Sequence, residues 1–123
     1  MTTIDNSKLF ISGTYGDVSV KVPAKTTYKE GTVLCVNASG EIVAYSTDLN
    51  ADGFVAQPTY ILAHDVANTA NEAKVHDLCR VFEEGELNVA KLVFVKAADA
   101  TNNLVLAALK NNGFTLVPVV EVV

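Results

Sequence analysis

At 123 residues, the chain is the length of one domain, long enough to bury roughly two thirds of the surface its unfolded form exposes. Half of its residues are hydrophobic and 19% are charged, which excludes an intrinsically disordered chain and leaves a packed globular one. The net charge of −5 is concentrated in residues 41–86, where nine acids stand against Lys74 and Arg80, and an acidic middle that repels phosphate argues against nucleic acid as a partner.

The mean hydropathy of +0.27 is high for a domain with so much surface to cover, so part of the apolar surplus is expected in a protein interface. No stretch approaches the roughly 20 consecutive apolar residues of a membrane span, so no membrane partner is expected. Met1 to Asn6 lacks a basic stretch followed by an apolar run. The sequence therefore predicts a soluble chain that is not exported by itself.

Residues 1–16 read as an N-terminal arm, mostly polar at first, with an apolar knot at Leu9, Phe10 and Ile11 and glycines at Gly13 and Gly16. From Asp17 the pattern becomes strand-like, because Val18, Val20 and Val22 alternate with Ser19 and Lys21 before Pro23 stops the run. Thr32–Val36 and Glu41–Tyr45 flank Asn37-Ala38-Ser39-Gly40, a hairpin signal in which Gly supplies a positive φ. A polar loop, Ser46–Gly53, leads to an apolar strand over Thr59–Val66, and a second loop to another over Val75–Phe82. Glu83-Glu84-Gly85-Glu86 reads as a turn before a further strand over Leu87–Val95.

One helix is expected, over Asn102–Lys110, with Leu104, Ala107, Ala108 and Leu109 on its buried face. Thr101 or Asp99 could cap its start and Gly113 its end. Phe114–Val123 is strand-like again, with Pro118 belonging to an edge or a break. The fold class predicted is mainly β: a small compact domain over residues 17–123 with one short C-terminal helix, preceded by the extended arm.

Few residues suggest chemistry. His64 and His76 are each followed by an aspartate, Asp65 and Asp77, but neighbours in a strand point to opposite faces and no third ligand is indicated, so no metal is expected. Cys35 and Cys79 sit in apolar runs without a CxxC spacing, the pattern of buried reduced thiols rather than a disulfide or a nucleophile. Asp48, Asn50, Asp52 and Gly53 resemble the start of a calcium loop, but the position that should carry its closing acid is Thr59. Glu83, Glu84 and Glu86 read as solvated carboxylates. Glycine-rich phosphate loops are absent, so no cofactor is expected, nor an enzyme.

The order of segments resembles the lambda-type head decoration (capsid cement) proteins of tailed bacteriophages. The resemblance runs from about Thr26 to Leu116. Its parts are GTVL (Gly31–Leu34), NASG (Asn37–Gly40), EIVAY (Glu41–Tyr45), the Asp-rich loop to Gly53, ILAHDV (Ile61–Val66), GELN (Gly85–Asn88) and LAALKNNGFTL (Leu106–Leu116). It implies a β-tulip or β-clip-like domain, made in the host bacterial cytoplasm, that sits on the capsid exterior of the virion as a homotrimer. Such a trimer occupies three-fold and quasi-three-fold positions and stabilises the head. Its partner would be the major capsid protein, and the arm, with Leu9, Phe10 and Ile11 as capsid-binding residues, would order on an exposed edge of that protein.

A trimeric phage tail or adhesion module that binds a host glycan or protein is the alternative. The lack of Trp and an aromatic content of 7% disfavour sugar stacking.

Overall fold

The main sheet closes on itself, as the computed structural model shows over residues 9–117, the side chains of residues 10 and 11 lying outside the described ones. Its strands are β1 (Phe10–Val22), β3 (Val33–Val36), β4 (Ile42–Ala44), β5 (Tyr60–Leu62) and β7 (Lys74–Asn88). The pairings run β1–β4–β3–β5–β7 and return from β7 to β1, which makes a five-stranded ring. β8 (Phe114–Val117) adds to β7 in parallel. A separate two-stranded ribbon joins β2 (Thr26–Tyr28) and β6 (Val66–Asn68). The single α-helix among the described residues, α1 (Asn103–Asn111), precedes β8.

Strand alternation divides the core into two. Val20 and Val22 of β1, Leu34 of β3, Ala44 of β4, Leu62 of β5 and Cys79 and Val81 of β7 share one buried cluster. Since every strand of the ring contributes, this cluster is the barrel's interior, filled by side chains as small barrels are. The neighbours Val33, Cys35, Ile61 and Phe82 point outward and join Leu9, Leu87, Val105, Leu109 and Phe114 in a second cluster. On this side α1 and β8 cover the barrel wall. That is why β3 and β5 are continuous apolar runs: both faces are covered.

Loop chemistry fixes the connections. In the β3–β4 hairpin Asn37 Oδ1 accepts from the backbone of Ser39 and Glu41, and Gly40 takes φ 83°, as the NASG signal requires. Asn68, buried on β6, donates from Nδ2 to the carbonyls of Val22, Pro23 and Glu72 and accepts from the Ala70 N–H. One amide thus ties the β1 exit to the loop before β7.

The mainly β class and the helix near the C-terminus agree with expectation; several local readings do not. Residues 83–86 form no turn: β7 runs through them without a break, and Glu83, Glu84 and Glu86 lie exposed along it. After Asn88 the expected strand gives way to a 3-10 turn at Val89–Lys91 and irregular chain. Residues 10–16 are the first part of β1, paired from Phe10↔Leu87 to Gly16↔Val81, so the body of the domain starts before residue 17. On α1 the buried residues are Val105 and Leu109, whereas Leu104 is 81% exposed. The N-cap is Asn102, whose side chain accepts from the Leu104 N–H. Gly113 takes φ 100° at the C-terminal side, as expected.

Candidate interaction surfaces

Most of the residues that could have carried chemistry are placed in structural roles. Cys35 and Cys79 are both buried and reduced, in different core clusters. Burial pushes the Cys35 thiol up to about 11 and raises that of Cys79 as well, so neither supplies the thiolate a nucleophile needs. His64 follows β5, where its Nε2 accepts the Arg80 N–H at 3.0 Å and Nδ1 lies 3.0 Å from the Asp65 carbonyl. The imidazole therefore stands in for a backbone carbonyl and extends the β5–β7 ladder as the neutral Nδ1–H tautomer. His76 lies on β7, paired with Val20, and its Nε2 is buried without a hydrogen-bond partner. Among the described residues no group of three or more His, Cys, Asp or Glu could hold a metal ion.

The Asp-rich loop folds around its own hydrogen bonds. Ser46 caps a 3-10 turn at Thr47–Leu49, Asn50 Oδ1 accepts from Ala56 N–H, and Asp48 pairs with Lys96 at 3.1 Å. Buried Asp99 reaches across from the 97–101 turn to accept from the backbone N–H and the hydroxyl of Thr47. With Asn50 and Asp48 so engaged, the spacing that resembles a calcium loop serves as a latch between two turns.

The apolar knot of the N-terminal segment divides. Leu9 is only 4% exposed and belongs to the outer core cluster. Its carbonyl accepts the Asn88 N–H at 2.7 Å. Leu9 thus has no surface to offer a partner, because it packs where β1 enters the sheet. Phe10 and Ile11 follow it in β1; their side chains, and residues 1–8, lie outside the described residues.

Part of the exposed surface is apolar. Leu78 is 80% exposed and sits at φ 57°, a conformation unusual for a non-glycine residue. It lies where the β1–β7 register shifts between Val18 and Val20. Val75 is exposed on the same strand. It helps line a shallow groove of about 380 Å³ with Val18, Ser19, Lys21, Glu41 and Ile42. There Lys21 and Glu41 pair at 2.8 Å, and the hydrogen bonds from Lys21 and Asn37 hold the Glu41 carboxyl below its usual range.

A second groove, about 460 Å³, lies between α1 and β8 and is lined by Val89, Leu106, Ala107, Lys110, Thr115 and Leu116. Thr115 and Leu116 are adjacent in a strand and point to opposite sides, so this groove follows the outer edge of β8. Neither it nor the exposure of Leu78 and Leu104 is legible from the sequence. The only signal was the general surplus of apolar residues.

No family model matches the chain, and no curated protein matches it.

Proposed function

We propose that this protein is a structural decoration protein of a tailed-phage capsid. It binds the outer surface of the head at three-fold and quasi-three-fold positions as a ring of three identical subunits, and it stabilises the shell. The observation that carries this reading is the exposure of large apolar side chains, Leu78 at 80% and Leu104 at 81%, on the outside of a closed barrel. Its candidate chemical groups, Cys35, Cys79, His64 and the Asp-rich loop, are engaged in packing and backbone bonds. Such a surface suits contact with other proteins, and the likeness of segment order to lambda-type decoration proteins supports a capsid partner.

The capsid contact falls to the N-terminal arm, through the residues before Leu9 together with Phe10 and Ile11, with Leu9 serving as its root in the core rather than as part of the binding face. Co-sedimentation with expanded empty heads of its own phage tests the proposal. Saturable binding in multiples of three per three-fold position is expected; a chain that stays in the supernatant at all ratios overturns it.

A further inference from the structure

We infer that the groove between α1 and β8 receives residues 119–123 of a second copy of this chain, which would run as a strand along the outer edge of β8. This specifies the contact within the ring proposed above and rests on that part of the reading.

The first argument is shape and polarity. The groove offers an apolar wall from Val89, Leu106, Ala107 and Leu116, with Lys110 as the one charged residue among the described residues that line it. It follows the edge of a strand that is hydrogen-bonded to β7 on one side, and sheet edges accept added strands through backbone bonds. The residues after β8 are Pro118-Val119-Val120-Glu121-Val122-Val123: β-branched and apolar, with Glu121 as the only charge. The composition of the segment thus mirrors that of the groove, one acid against one base on an otherwise apolar ground.

The second argument decides between this chain's own segment and a neighbour's. The groove lies beside Thr115 and Leu116, so the same chain would have to reverse immediately after Val117 to enter it. Two-residue hairpin turns need a positive φ at their first central position. Pro118 is locked near −65° and Val119 is β-branched, so neither adopts it. A two-residue reversal into its own groove is thus disfavoured, and five residues at strand spacing would span roughly 17 Å, far enough to meet an adjacent subunit. Such an exchange uses two different surfaces of each chain and is a head-to-tail contact, which closes into a ring when the rotation allows.

The test is a cross-link between chains that each hold half of the pair. Lys110→Cys and Glu121→Cys single variants, carrying different tags, are co-expressed, purified and oxidised; Cys35 and Cys79 are buried and stay out of the reaction. A covalent species containing both tags is expected, lost on reduction and absent when either variant is oxidised alone. Failure of the mixed cross-link overturns the inference. So does a Lys110→Cys/Glu121→Cys double variant that closes only within one chain, since that assigns the groove to its own segment. Capsid binding does not enter this readout, so its outcome and that of the co-sedimentation test are independent.

Discussion

Gly13 and Gly85 stand opposite each other in the β1–β7 ladder, at φ 145° and 140°. A Cβ on Gly13 would lie 2.6 Å from the Cα of Gly85, and one on Gly85 would lie 2.7 Å from the Cα of Gly13. The two strands approach here as only a pair of glycines permits, and the register shifts on either side of them. Gly13→Ala or Gly85→Ala combines a clash against backbone with a strained φ, and the expected loss is about 2–5 kcal/mol in denaturant unfolding. Gly40→Ala, at φ 83° with nothing within 4 Å, should lose only about 1 kcal/mol. Equal losses at the three positions would refute the close-approach argument.

That pair also shows where the sequence stopped being readable. Glu83-Glu84-Gly85-Glu86 has the local composition of a turn, and nothing within several residues contradicts it. The reason for Gly85 is Gly13, far away in the chain, and a pattern read in windows does not see it. The NASG turn was legible because its cause is local: Asn37 Oδ1 accepts from the backbone N–H groups of Ser39 and Glu41, two and four residues on. In α1, apolar residues occur on all sides, so periodicity alone could not choose Val105 and Leu109 over Leu104. The choice came from the outer wall of the barrel, which Val105 and Leu109 cover.

Asn68 is a buried polar residue that is exacting to replace. Its amide nitrogen donates to three carbonyls at 2.9–3.0 Å, so Asn68→Asp would set a carboxylate among acceptors. A loss of about 3–5 kcal/mol at neutral pH is expected. The introduced acid is held above its unfolded value, so the deficit should be smallest below about pH 4 and grow as pH rises. Unfolding midpoints of the variant and the parent at pH 3.5 and 7 check both the size and the sign.

The buried thiols give an alkaline limb to stability. Cys35 moves from its ordinary 9.0 to about 11, so the folded state keeps a proton that the unfolded chain releases. The sign follows: this contribution is fully present below pH 9 and is lost as pH rises toward 11. Cys79 acts in the same direction, and so do Tyr28 and Tyr45, whose hydroxyls burial also raises. Melting temperature should be flat to about pH 8.5 and fall beyond it, with a shallower fall in Cys35→Val. At pH 7.5 a thiol-specific reagent should label neither cysteine except at the rate of unfolding.

His64 provides a spectroscopic check on the β5–β7 edge. Because Nε2 accepts from the backbone of Arg80 at 3.0 Å, ring nitrogen shifts above pH 8 should report the Nδ1–H tautomer alone. His64→Ala leaves the Arg80 N–H to water on an exposed edge, and a loss of about 1 kcal/mol is expected. An Nε2–H tautomer would exclude the ladder extension.

Removing the N-terminal segment separates anchoring from folding, provided that the cut respects Leu9. Deleting residues 1–8 keeps Leu9 in the core and its carbonyl on the Asn88 N–H. Melting temperature and oligomer mass should then change little, while binding to expanded heads is weakened. Deleting residues 1–12 also removes Leu9 and the first ladder pairs, Phe10↔Leu87 and Ser12↔Glu86, with an expected cost of about 3 kcal/mol or more. The longer deletion therefore cannot distinguish an anchor from a core strand, and the shorter one can. If the chain lacking residues 1–8 still saturates the heads, the segment before Leu9 is not the anchor, and the contact belongs to Phe10 and Ile11 or to the exposed apolar side chains of the body. Leu78→Asp and Leu104→Asp then become the decisive variants, since each replaces an exposed apolar side chain without disturbing a core cluster.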